Sequence, residues 1–138
     1  MWDSRKQGTS VTTKQRGDAA EDAALRHLLR HGLRLVQRNF RTPGRGGGEI
    51  DLIMREPDGT LVFVEVRQRA SASRGGAGAS ITGVKQRRIV FAARHFLLRL
   101  GSEPACRFDV VLIQGARDGA EAPDIQWLRA AFDASGTF

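Results

Sequence analysis

Apolar and polar residues alternate along this chain with two periods, and the change-overs mark its elements. "DAAEDAALRHLLRH" places Ala24, Leu25, Leu28 and Leu29 at helical spacing. Such spacing makes one apolar stripe on a helix. It predicts a helix from about Asp18 to His31, with Gly32 as the stop signal. "LRLVQRNFR" switches to a period of two and predicts a strand. "TPGRGGG" is a turn-rich loop, "EIDLIMR" a second strand and "TLVFVEVRQR" a third. "ASASRGGAGAS" is small and glycine-rich, the composition of a mobile loop. Helical spacing returns in "ITGVKQRRIVFAARHFLLRL", where Ile89, Ala93, Phe96 and Leu100 fall on the core face. "CRFDVVLI" is a fourth strand, "QGARDGAEAPD" a loop, and "IQWLRAAF" a short strand or helix. The order α-β-β-β-α-β defines a mixed α/β domain. With no repeat and no linker, residues 17–138 form one domain behind a flexible basic tail, residues 1–16.

The second and third strands meet at "EPDGT". Proline presets φ at the first loop position and glycine accepts a positive φ at the third, so Pro57, Asp58 and Gly59 suit a three-residue hairpin loop. That loop makes Glu56 face Thr60 and fixes the register outward. One face then pairs Met54 with Val62, Leu52 with Val64 and Ile50 with Val66, and is core. The other pairs Ile53 with Phe63, Asp51 with Glu65 and Glu49 with Arg67. A slip of one residue would mix the two faces.

Asp51 and Glu65 thus sit side by side. Directly opposed residues have Cβ atoms about 4.5–5.5 Å apart, where like charges are destabilising. A shared proton would offset the repulsion by raising one pKa. A nearby arginine would also serve, as would a divalent cation. Mg²⁺ and Mn²⁺ prefer oxygen ligands, and Mg²⁺ takes one or two carboxylates with waters and phosphate oxygens. The plainer alternative is a solvated pair neutralised by Arg67 and its neighbours. Glu21 is a third carboxylate, set within the apolar stripe of the first helix, where a charge is costly unless paired or metal-bound. Its alternative is partial solvent exposure near the helix N-terminus, where the dipole favours an anion.

Composition narrows the setting. The chain has 138 residues, enough for a single core. One cysteine, Cys106, excludes an intrachain disulfide and a zinc cluster. That usage fits a reducing cytoplasm, as does an N-terminus without the apolar run of a signal peptide. No segment approaches the roughly 18–20 apolar residues of a membrane span. Lys and Arg number 22 against 15 Asp and Glu, a net charge of +7. Such a surface points to a polyanionic partner, nucleic acid above all. Lys85, Arg88, His95 and Arg99 form a basic stripe on the second helix that suits phosphate contacts, which carry no base readout. A solvated helix face is the alternative. Arg69 and Arg74, just beyond Glu65, are placed to embrace a backbone. His95 lacks a ligand-spaced partner and is not a catalytic candidate. Asp109 alternates onto the face of Val111 and Ile113 and reads as structural, paired with an arginine. Cys106 reads as a small buried residue. Trp2 and Trp127 are too isolated for a base-stacking platform.

"GDAAEDAALRHLLRHGLRLVQRNFR", "GGGEIDLI", "LVFVEVRQR", "VKQRRIVFAARHFL" and "RFDVVLI" together resemble the YraN family of bacterial proteins, from about Gly17 to Phe132. That family is similar to archaeal Holliday junction resolvases and to the PD-(D/E)XK nuclease-like proteins. The resemblance implies a restriction-endonuclease-like mixed sheet flanked by helices. It also implies a Mg²⁺- or Mn²⁺-dependent endonuclease site acting on DNA, branched DNA included. Carried over by position, Glu21 matches the N-terminal-helix glutamate, Asp51 the motif aspartate and Glu65 the glutamate of E-x-K. Those three would hold the metal. The chain departs from the pattern at Arg67, where lysine is expected. Arginine stays charged and cannot act as a base, but it can hold a scissile phosphate. Lys85 offers an amine from another direction, its alternative being a solvated face. Two rival functions remain: a non-catalytic nucleic-acid-binding module that kept the fold, and a protein-interaction domain with an acidic partner. Homodimer formation is left open.

Overall fold

A computed structural model describes residues 13–44, 47–69, 81–114 and 124–134. The elements run α1 (Thr13–Arg30), β1 (Arg34–Arg41), β2 (Glu49–Arg55), β3 (Leu61–Arg69), α2 (Gly83–Leu100), β4 (Cys106–Gln114) and β5 (Asp124–Phe132). All five strands join one sheet in the order β1-β2-β3-β4-β5. The first three form an antiparallel meander. β4 runs parallel to β3 after the crossover through α2, and β5 returns antiparallel beside it. The α/β class is as the periodicity predicts, and the mixed sheet flanked by helices is as the family resemblance implies. The last segment, strand or helix on sequence, is a strand. The first helix starts at Thr13, so part of the expected tail is helical. Residues 1–12, Trp2 among them, lie outside the described residues, as does the glycine-rich stretch 70–80.

Each helix covers one face of the sheet. Ala20, Ala23, Ala24 and Leu28 of α1 pack on Leu52, Met54, Val62, Val64, Val111 and Ile113. Small alanines let the helix backbone approach the strands closely. Ile89, Val90, Ala92, Ala93 and Phe96 of α2 pack on Ile53, Leu61, Phe63 and Phe108. The aromatic rings interlock here: Phe63 stacks on Phe108 at 5.4 Å between centroids, and Phe40 meets Phe96 edge-on at 5.4 Å. Central strands buried on both faces read as near-continuous apolar runs, which is why "LVFV" in β3 does not alternate. Two positions assigned to the core by helical spacing are exposed: Leu29 at 46% and Leu100 at 39%. Each lies in the last turn of its helix, off the face that Leu28 and Phe96 pack against the sheet. α2 is closed at both ends, by Thr82 Oγ1 accepting from the Lys85 N–H and by Gly101 in the left-handed conformation.

The hairpin follows its turn chemistry. Glu56 N–H donates to Thr60 O and Gly59 N–H to Glu56 O, both at 2.9 Å, and Gly59 has φ of +97°. Met54 pairs with Val62 and Leu52 with Val64, as expected, but the ladder ends there. The Glu56 N–H bond to Thr60 O marks this as a hydrogen-bonded position of the register, so alternate pairs inward should bond too. Ile50 O would then receive the Val66 N–H. Instead Val66 N–H donates to Asp51 Oδ2 at 2.8 Å. The carboxylate has taken the place of the next rung. Ile50 correspondingly packs in the α2-side cluster, not with Leu52 and Met54 as the unbroken register implies.

Asp109 is structural, as its strand position suggests. It is fully buried and accepts from Arg107 Nε at 3.0 Å, Trp127 Nε1 at 2.9 Å and the Ala130 N–H at 2.9 Å. The last bond fixes a register shift against β5, where Ala130 has φ of +51°. Arg107 also reaches Glu56, tying β4 to the hairpin turn. Trp127, isolated in the sequence, anchors this network and carries the Arg129 guanidinium at 4.0 Å from its ring centre. Cys106, expected to be buried, is exposed at the start of β4, two residues before Phe108, where the strand enters the core.

Candidate functional site

Where the hairpin ladder stops, a cleft of about 620 Å³ opens on the α2 side of the sheet. The β1–β2 connection forms one wall and the first turns of α2 the other. Asp51 and Glu65 line it, with Glu49, Arg41, Lys85 and Arg88. Two glycines make it possible. A Cβ on Gly48 would stand 2.7 Å from the backbone oxygen of Arg88, and one on Gly47 would overlap Thr42. Only glycine lets this connection lie against α2. Thr42 N–H donates to Gly48 O at 3.2 Å and closes the loop's base.

The acids occupy the floor. Glu65 is buried, 6% exposed, and Asp51 is half-buried beside it. Burial, and then the Glu65 carboxylate, push the Asp51 pKa up to about 8, against the pull of the Val66 N–H. Glu65 is met by Lys85, whose Nζ lies 2.8 Å from Oε2. A solvated face is the plainer expectation for Lys85 on sequence, yet its head group reaches into the cleft. Arg88 is exposed on the rim. Arg41, 77% exposed, pairs with Glu49 at 3.5 Å. The result is an acidic floor under a basic rim.

The remaining sequence candidates stand outside this group. Glu21 approaches from α1 and feels the charges of Glu49 and Asp18. Burial raises its pKa, while Arg38 holds its carboxylate at 3.5 Å. Its charge reaches Asp51. Among the described residues no three His, Cys, Asp or Glu side chains are grouped to hold a metal ion, so Glu21 stands apart from the Asp51 and Glu65 pair. Arg67, half-buried on β3, does not line the cleft, and Arg41 takes the Glu49 partnership expected of it. Arg99 lies at the far end of α2 with its guanidinium 5.8 Å from the Phe40 ring centre. His95 packs on Phe91. The Arg69 side chain and all of Arg74 lie outside the described residues. Arg41, Thr42, Gly48 and Thr82 are cleft residues that periodicity does not single out. The run of glycines directly before an acidic strand was the signal for the first three, since glycine beside a strand marks a close backbone approach.

Fold and cleft together define an α/β domain that gathers carboxylates at the open end of a central hairpin. The profile of the uncharacterised protein family UPF0102 matches residues 20–113, which span every residue lining the cleft. A UPF0102 protein of Polaromonas naphthalenivorans is 63% identical, over 98% of this chain and 100% of its own length. One of Albidiferax ferrireducens is 69% identical over 89% and 91%. The chain belongs to this family, in agreement with the YraN resemblance of its motifs.

Proposed function

We propose that this protein is a metal-dependent nuclease that hydrolyses DNA phosphodiester bonds, branched DNA included, in the cleft between β2, β3 and α2. The observation that carries the reading is the joining, in one open cleft, of the Asp51 and Glu65 carboxylates with the Lys85 amine on Glu65. Asp51 and Glu65 present oxygen donors only, and burial beside the Glu65 carboxylate raises the Asp51 pKa. That donor set suits Mg²⁺ or Mn²⁺, which accept a pair of carboxylates and complete their shell with water and phosphate oxygens. When bound, such an ion polarises a phosphoryl oxygen and brings the water pKa toward neutrality.

The chain's own side chains do the rest. Asp51 is held in place by the Val66 N–H, and Glu65 by its position in a buried strand. Lys85 delivers from α2 the ammonium that the E-x-K pattern places two residues after the glutamate, where this chain has Arg67. At the scissile phosphate, it meets charge developing on the leaving side. Arg41 and Arg88 on the rim bind flanking phosphates without reading bases. Glu21, tied to Arg38, adds negative charge behind Asp51 and no ligand atom.

A Mn²⁺-dependent cleavage panel with linear, single-stranded and four-way-junction DNA tests this reading. Wild type should cut at least one substrate, and Asp51→Ala and Lys85→Gln should not. Salt-sensitive binding without cleavage would instead identify a nucleic-acid-binding module, and neither result at low salt would favour a protein-interaction domain. Among the described residues no helix is long and apolar enough to cross a membrane.

A further inference from the structure

The contact between Lys85 and Glu65 implies more than the presence of an amine. Lys85 Nζ lies 2.8 Å from Glu65 Oε2, with Glu65 6% exposed and Lys85 50% exposed. The lysine backbone is fixed, because its N–H is bound by Thr82 Oγ1 at 3.2 Å in the capping turn of α2. Its head group is not, since it ends a flexible four-carbon stem that is half in solvent. Among the described residues, Lys85 is the cation that reaches Glu65, while Arg41 is engaged with Glu49. A divalent ion shared by Asp51 and Glu65 would sit on the same carboxylate that the ammonium holds. Two cations at contact distance from one buried carboxylate repel each other.

We propose that Lys85 is a placeholder cation: it holds Glu65 while no divalent ion is bound, and swings toward the cleft mouth when one arrives. The inference rests on the metal reading of Asp51 and Glu65. It gives Lys85 two positions in one cycle. On Glu65, it offsets the repulsion between the paired carboxylates of the metal-free protein. Released, it stands at the mouth, where a phosphate would lie beside Arg88. Metal loading and delivery of the lysine to the substrate thereby become one event. Arginine would serve poorly at this position, because its rigid planar fork lacks the compact, pivoting head of an ammonium.

The test is calorimetric titration of the full chain with Mn²⁺ at low salt and without DNA. Lys85→Gln should bind Mn²⁺ about tenfold more tightly than wild type, the equivalent of one charge-assisted hydrogen bond of about 1.4 kcal/mol no longer competing. Asp51→Asn should lose binding in either background. A second readout follows the lysine itself. The chain has lysine only at positions 6, 14 and 85, so ¹³C-methylated lysines give few resonances, and Lys85→Gln assigns one of them. Saturating Mg²⁺ should move that resonance to where it lies in Glu65→Gln. If Lys85→Gln binds Mn²⁺ no more tightly than wild type, while wild-type binding still depends on Asp51, the placeholder is wrong and the metal reading stands. A Lys85 resonance unmoved by Mg²⁺ would overturn it equally. If neither protein binds Mn²⁺, the metal reading fails and the placeholder with it.

Discussion

Val64 of β3 lies beside Asp109 of β4, and the next residue, Glu65, lies beside Val110. Two buried carboxylates thus stand one step apart in neighbouring strands, on opposite faces of the sheet. Their surroundings differ in kind. Asp109 receives a guanidinium, an indole N–H and a backbone N–H, so its oxygens are satisfied by fixed donors. Among the described residues, Glu65 is met by one flexible lysine, and its neighbour Asp51 by one backbone N–H and a second carboxylate. Buried charge is tolerated when it is paired and hydrogen-bonded. Asp109 meets that condition with its own chain and holds β4 and β5 together. Asp51 and Glu65 meet it incompletely, in a cleft open to solvent. A satisfied acid is structure, and an acid short of positive charge is a place for a cation.

The contrast is broken most directly by removing the satisfied acid. Asp109→Ala leaves the Arg107 Nε–H, the Trp127 indole and the Ala130 N–H without their acceptor. Breaking a buried pair from one side costs about 3–5 kcal/mol. The variant should melt well below wild type, by an amount that Mn²⁺ does not change. Removing an unsatisfied acid should do the reverse. The folded protein holds the Asp51 proton up to about pH 8, whereas the ordinary value is 3.8. Between those values the folded state binds more protons than the unfolded one. The stability contributed by this group is therefore full below about pH 4 and lost as pH rises through 8. Asn has no such loss and its side-chain oxygen still accepts from Val66. In chelator, Asp51→Asn should match or exceed wild type, by on the order of 1 kcal/mol at pH 8, with the advantage shrinking toward pH 4. Thermal melts across that range measure it.

Two smaller effects sharpen the boundary of the cleft. Replacing Arg41 and Arg88 together with alanine should flatten the salt dependence of duplex binding, by about 0.9 in logarithmic slope for each phosphate no longer neutralised. Arg99→Ala should leave that slope unchanged, because Arg99 lies over Phe40 away from the cleft. An equal drop in slope from Arg99→Ala would mean that DNA follows the whole helix. The smallest effect is expected at Arg67. With the amine supplied by Lys85, Arg67→Lys should change cleavage by less than about twofold, since lysine there would not reach into the cleft. A large rise would show that Lys85 does not replace the missing motif lysine.

How much of this was legible in the sequence follows from what each signal depends on. The hairpin register was readable because it depends on a local turn, Pro57 to Gly59, and on short-range alternation. That register brought Asp51 beside Glu65. The break in the ladder was not readable, because a side chain competing with a backbone acceptor leaves no trace in periodicity, and Ile50 changed faces with it. Lys85 could be placed on a helix face but not aimed, since the crossing of α2 over the sheet is set by packing of Ile89, Ala93 and Phe96. The donors to Asp109 come from Arg107 and from β5, a segment whose type the sequence left open between strand and helix. Leu29 and Leu100 show the limit of periodicity in another way: helical spacing does not say how far round the helix the packed face extends, and Leu29 is exposed beside a fully buried Leu28.

A cation site at Asp51 and Glu65 requires that the pair be short of positive charge, and thermal melting at pH 8 with and without Mn²⁺ tests that most directly. Metal that binds only the folded state stabilises it by about 2.7 kcal/mol at a hundredfold excess over Kd. Wild type should therefore rise in Tm with Mn²⁺, and Asp51→Asn, level with or above it in chelator, should gain little and fall behind. An Asp51→Asn protein that is destabilised in chelator and gains as much from Mn²⁺ as wild type would show that the two carboxylates do not share a cation, and would contradict the site proposed here.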